Sequence, residues 1–215
     1  MPLRCLKSPS RSYMSQTTDI VFPDPHRPDL FYHLVHAPTP LSKTLPAFAL
    51  SFLDRSPSSV DSPAVIGWLP AQTYETDTPE PPREGRSQPE ERSAGLNDFI
   101  VNDKFVQLLH DTIKAGLADG VDDIWKDSAM ALQSGWMHIH GKHILRNIPA
   151  LDRIGDPDDI IATVLVEDSK ILVDTYQPMP AYRVCTADGV MQLTPGLSSY
   201  LQKKLLDLRP SGPTS

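Results

Sequence analysis

Residues 155–195 read GDPDDIIATVLVEDSKILVDTYQPMPAYRVCTADGVMQLTP, and the fold class turns on them. Gly155–Asp159 is a turn, because aspartate side chains bond nearby backbone amides and Pro157 fixes φ. Ile160–Val166 is almost continuously apolar, which fits a central strand. Glu167–Lys170 turns the chain into a second run, Ile171–Tyr176. Gln177–Pro180 breaks the ladder, since neither proline can donate a hydrogen bond. Ala181–Thr186 and Val190–Thr194 flank Ala187-Asp188-Gly189, and Asp-Gly between apolar alternations predicts a hairpin. Thr194-Pro195 then offers an N-cap followed by an N1 proline. Leu197, Leu201, Leu205 and Leu208 continue that helix to the end of the chain.

Upstream of this block the period changes from two to nearly four. Asn102 is a candidate N-cap, Phe105, Leu109, Ile113 and Leu117 share one helical face, and Gly120 suits the C-terminal exit. A second helix starts at Asp122 and Asp123, where acids complement the positive helix end. Trp125, Ala129, Leu132 and Trp136 follow it at helical spacing, read most simply as a core stripe. So short a connection predicts an antiparallel helical hairpin. Short strands are expected at Trp136–His140 and Ile144–Ile148. Helices and strands segregate along the chain, so the class is α+β: a helical hairpin plus a mainly antiparallel sheet with a C-terminal helix.

Proline marks the boundary of this regular part. Fifteen of the 22 prolines fall in residues 1–89 and none between Glu90 and Ile148. Before the boundary stand three apolar runs, Leu30–Val35, Leu45–Leu53 and Ala64–Leu69. Phe48, Leu50 and Phe52 alternate with small residues, and AVIGWL is β-branched and bounded by Pro63 and Pro70, so both read as strands. Residues 73–97 hold TYETDTPEPPREGRSQPEERSAG, with six acids, three arginines and four prolines, and are expected to be a disordered acidic linker. The organisation predicted is a basic tail or transit peptide (1–18), N-terminal strands joining the main sheet (19–72), the linker (73–97), an α+β core (98–209) and a short tail (210–215). The strands should gain stability from a larger sheet.

The blocks RIGDPDDIIATVLVED and TYQPMPAYRVCTADGVMQLTPGL resemble the C-terminal part of an uncharacterised fungal protein family of unknown function. The similarity extends back through VDDIWKDSAMALQSGWMHIH, about half of the chain. The resemblance implies a fungal origin and brings with it no activity, cofactor or fold.

Composition sets outer bounds on function. The chain has 215 residues, 40% hydrophobic and 22% charged, with a formal net charge of −7. No run approaches 18 apolar residues, so no transmembrane segment is expected. The acidic balance argues against nucleic acid as a partner, because its phosphates demand a basic face. A protein partner remains open, and oligomeric state is not legible. Residues 1–18 hold Arg4, Lys7 and Arg11 without an acid, a local +3 that leaves −10 for the rest. This basic, serine-rich start matches a mitochondrial transit peptide; the alternative is a short disordered tail on a cytoplasmic protein. Met14 offers a second start that would remove all three charges. Two cysteines, Cys5 and Cys185, cannot form a disulfide scaffold, and reduced thiols fit the cytosol or the mitochondrial matrix.

GxGxxG, GxxxxGK[ST], HExxH, CxxC and GxSxG are all absent. One constellation carries chemistry: WMHIHGKH places His138, His140 and His143 within six residues. On a strand, His138 and His140 project from the same face and could share a divalent metal as cofactor. Zinc needs three or four ligands, and Asp156 is the first candidate to complete the set. Asp158, Asp159, His33 and His36 are the others. Without a metal, a neutral imidazole there could act as a general base. On an amphipathic strand with Met137 and Ile139 inward, the same histidines simply face solvent. Tyr182, Arg183 and Gln177 could line a polar pocket. Two functions follow from these readings. The first is a non-enzymatic accessory or adaptor protein. The second is a small metal-dependent or acid–base enzyme using the His138/His140 face.

Overall fold

The computed structural model describes residues 20–71, 98–141 and 157–208. The tail at 1–18, the segment at 73–97, the strand predicted at Ile144–Ile148, and residues 210–215 lie outside the described residues, as do His143 and Asp156.

The N-terminal apolar runs form an antiparallel meander in chain order. It comprises β1 (Val21–Pro23), β2 (Phe31–Val35), β3 (Ala47–Ser51), β4 (Val65–Pro70) and β5 (Ile100–Val101). In β3, Ala47, Ala49 and Leu50 are buried, and Phe48 packs edge-on between Phe22 and Tyr32. Next come α1 (Asp103–Asp119), α2 (Asp123–Leu132) and β6 (Gly135–His140). A single 3-10 turn at Pro157–Asp159 leads into β7 (Ile160–Glu167) and β8 (Lys170–Pro178). The hairpin of β9 (Cys185–Thr186) and β10 (Gly189–Val190) precedes α3 (Pro195–Asp207). Strands β6, β7 and β8 make a second antiparallel sheet and the β9–β10 hairpin a third, so the fold is α+β as expected.

Among the described residues the N-terminal strands do not join the C-terminal strands in one ladder. β4 takes Ile100–Val101 as its outer neighbour, through Gly67↔Val101 and Trp68↔Ile100. The union happens through side chains instead. Phe105, Leu109 and Ile113 of α1 are fully buried in one cluster with Leu50 and Ile66 of the first sheet, Ile139, Ile161 and Val164 of the second, and Leu197, Leu201 and Leu205 of α3. Each fully buried side chain of this size contributes about 1.5–3 kcal/mol. A helix covering both sheets thus removes the advantage of fusing them.

Local chemistry sets the element ends. The Asn102 side chain accepts from Lys104 N–H, and Gly120 closes α1 in the left-handed conformation at φ 58°. The Asn102 amide also donates to the carbonyls of Ser62 at 2.9 Å and Val65 at 2.7 Å, tying the start of α1 to the start of β4. Asp168 and Ser169, both at positive φ, make the tight turn between β7 and β8. The β9–β10 hairpin is shorter than predicted, with only two pairs, Thr186↔Gly189 and Cys185↔Val190.

The aromatic stripe predicted for α2 is split. Trp125 and Ala129 are buried, but α2 ends at Leu132, and Trp136 lies beyond it on β6. Gln133 and Gly135 both turn at positive φ, and this redirects the chain before Trp136. Among the described residues no helix is long and apolar enough to cross a membrane.

Candidate functional site

Strand β6 alternates as its sequence requires. Met137 and Ile139 are buried against the core, while Trp136, His138 and His140 point the other way. Cross-strand registry extends this outward face over three strands. His138 stands opposite Thr163, which pairs with Gln177; Trp136 stands opposite Leu165, which pairs with Leu172. Val164 and Val166 of the same central strand are fully buried on the inner side. The outer face thus carries an apolar row, Trp136–Leu165–Leu172, beside a polar row, His138–Thr163–Gln177. Trp136 is 51% exposed.

The two histidines are neighbours, with ring centroids 6.1 Å apart and planes at 65°. The Nδ1 atoms of both rings are withdrawn from water and have no hydrogen-bond partner. Burial, with adjacent His138 assisting, holds His140 below the ordinary imidazole value, so it stays neutral near pH 7. Of the residues proposed to complete a metal set, Asp156 is outside the described residues. His33 is buried in β2, and its Nε2–H donates to the Leu53 carbonyl at 2.9 Å. Asp158 pairs with Arg183 at 3.5 Å. Among the described residues no three His, Cys, Asp or Glu side chains gather as a metal-binding group.

The polar pocket expected from Tyr182, Arg183 and Gln177 does not form as one site. Gln177 lies on the outer sheet face, Arg183 is exposed beside Asp158, and the Tyr182 hydroxyl is buried without a partner. Cys185 is half-buried, and burial pushes its thiol up, which keeps it protonated and unreactive.

Two groupings escaped the sequence reading. His110 Nδ1 of α1 is hydrogen-bonded to the Tyr176 hydroxyl of β8 at 2.9 Å, across 66 positions of sequence. Burial holds His110 below its ordinary value, against the opposing pull of Asp111. No local spacing signals such a pair. The second is the β1–β2 loop, Asp24–Asp29. Arg27 forks onto the Asp29 carboxylate at 2.9 and 2.7 Å and donates to the Val190 carbonyl at 2.7 Å. Asp24 accepts from the backbone of His26 and Arg27 and from the Tyr32 hydroxyl. Burial acts to raise the Asp24 carboxyl, but these three bonds outweigh it and hold it below the usual range. Beside this loop lies a cavity of about 460 Å³, floored by Phe52, Met191, Leu193 and Leu201 and rimmed by Ser198, Ser199 and Gln202. No local spacing signals this fastening, since the strand-to-helix segment that Arg27 meets lies 163 positions away.

Comparison with protein-family models, curated proteins and solved structures finds no match for this chain.

Proposed function

We propose that the protein is a non-enzymatic adaptor that captures a protein partner on the outward face of the β6–β8 sheet. The observation that carries this reading is the apolar row Trp136–Leu165–Leu172, with a half-exposed tryptophan at its edge. Removing a tryptophan of that exposure from water is worth a few kcal/mol on area alone. Tryptophan also dominates the small set of residues that carry interface energy. The polar row beside the apolar one supplies hydrogen-bonding groups at the rim, the usual arrangement of a non-obligate interface.

The test is a photo-activated cross-linker placed at Leu172 in cells that express the chain, with a control at Asp188 in the β9–β10 turn. The adaptor reading predicts a discrete cross-linked protein from position 172 and none from position 188. Equal or absent cross-linking at both would contradict it.

A second reading, a metal-dependent or acid–base enzyme on the His138/His140 face, draws on the two unpartnered Nδ1 atoms. It requires that replacing both histidines by alanine abolish function, whereas the adaptor tolerates that change. We also infer that residues 1–18 direct the protein to mitochondria, on their composition. Tagged forms started from Met1 and from Met14 should then distribute differently, and identical distribution would contradict the inference.

A further inference from the structure

The polar groups that could bind a ligand are mostly committed to the fold. Arg27 is held by Asp29 and two backbone carbonyls, His33 by Leu53, His110 by Tyr176, and Asp122 by two helix starts. His138 and His140 differ, because each keeps a buried Nδ1 without any partner. We infer that these two imidazoles form a binding site for a borderline divalent transition ion, Cu²⁺ most tightly and Zn²⁺ or Ni²⁺ less so.

The geometry permits a shared ion. A metal–nitrogen bond of about 2.0–2.1 Å, added to the ring radius, lets two imidazoles on one ion have centroids up to about 6.4 Å apart. That limit holds with the two nitrogens on opposite sides of the ion, so the observed 6.1 Å suits a tetragonal Cu²⁺ with nearly opposed imidazoles better than a tetrahedral Zn²⁺. The separation is set by the backbone, since residues two apart on a strand share a face. Coordination at Nδ1 would also relieve a cost, because a buried polar atom left unpaired is worth about 1–3 kcal/mol. It leaves the ring proton of each imidazole on Nε2. Two neutral nitrogen donors select for ions that prefer imidazole, in the order that peaks at copper. They do not suit Mg²⁺ or Ca²⁺, which take oxygen ligands. This site shares a sheet face with the partner surface proposed above but does not depend on it.

The test uses the full chain with any affinity tag removed. Equilibrium dialysis should give one equivalent of Cu²⁺, and the electron paramagnetic resonance spectrum of the bound ion should show two imidazole nitrogens. His138→Gln or His140→Gln should each weaken Cu²⁺ binding on the order of 100-fold, by loss of the second tethered donor. Mg²⁺ should not bind. Absence of Cu²⁺ binding would overturn the inference. So would a wild-type spectrum without two imidazole nitrogens, or binding that persists in the His138→Gln/His140→Gln variant. The spectrum of the wild-type protein decides the matter even where a variant fails to fold.

Discussion

Asp122 serves two helices with one carboxylate. Its Oδ1 accepts from Ile124 N–H at the start of α2, and its Oδ2 accepts from Leu197 N–H in the first turn of α3. Thr194, the N-cap by position, makes no side-chain cap bond; its hydroxyl instead accepts from Trp125 Nε1–H at 3.1 Å. Gly196 allows this meeting, since a Cβ there would stand 2.5 Å from the Val121 carbonyl oxygen and 2.7 Å from Asp122 Cα. Asp122→Ala removes two caps and should destabilise by about 2 kcal/mol in urea unfolding, roughly twice the cost of one ordinary cap. Retention of full stability would show that neither bond matters. His110 supplies a pH dependence. Its value is lowered in the fold by burial, so the unfolded chain takes up the proton first. Stability is therefore complete above about pH 6.5, declines as pH falls from there toward the lowered folded value, and levels off below it. His110→Gln should reduce the slope of that part of a melting-temperature profile, leaving the share of His140, which burial lowers in the same direction. The caps at Asn102 and Asp122 were legible because they act within three residues. The second role of Asp122 spans 75 positions and has no local signature.

At the scale of elements, period and turn chemistry located most of the strands and all three described helices. They failed where an element is short or where the register changes. β1 and β5, of three and two residues, present too few alternations to read. Trp136 fitted both the stripe of α2 and the strand expected at Trp136–His140, and positive φ at Gln133 and Gly135 decides for the strand. β8 carries an irregularity no pattern shows: Thr163 pairs with Gln177 but Leu165 with Leu172. The Thr175 hydroxyl fills the gap, accepting from Leu165 N–H at 2.8 Å and donating to the Leu172 carbonyl at 2.6 Å. Thr175→Val keeps the shape and deletes both bonds. It should cost about 1–3 kcal/mol and speed amide exchange at Leu165. Unchanged exchange there would mean that the ladder closes without the hydroxyl. The histidine pair was legible from HxH spacing, since strand alternation alone puts both rings on one face. Their unpartnered Nδ1 atoms depend on what surrounds the rings and were not legible.

At the scale of the molecule, one core joins two sheets that share no ladder among the described residues. α1 is the common wall, and Phe105 packs near Phe52 of the N-terminal part at a centroid distance of 6.2 Å. A fragment of residues 97–215 should therefore fail to unfold cooperatively, because the α1 side chains packed with Leu50, Phe52 and Ile66 would meet water. Cooperative melting of that fragment would contradict this. Arg27 is the polar counterpart, fastening the β1–β2 loop to Val190 and Met191 ahead of α3. Arg27→Met should raise amide exchange in residues 21–35 while leaving β6–β8 unchanged. The central claim, partner capture on the β6–β8 face, is tested most directly by proximity labelling. The protein set labelled by the wild-type chain would be compared with those of Trp136→Lys and His138→Ala/His140→Ala. The account predicts that Trp136→Lys loses the set while the histidine variant retains it. Retention by Trp136→Lys, or loss only in the histidine variant, would contradict it.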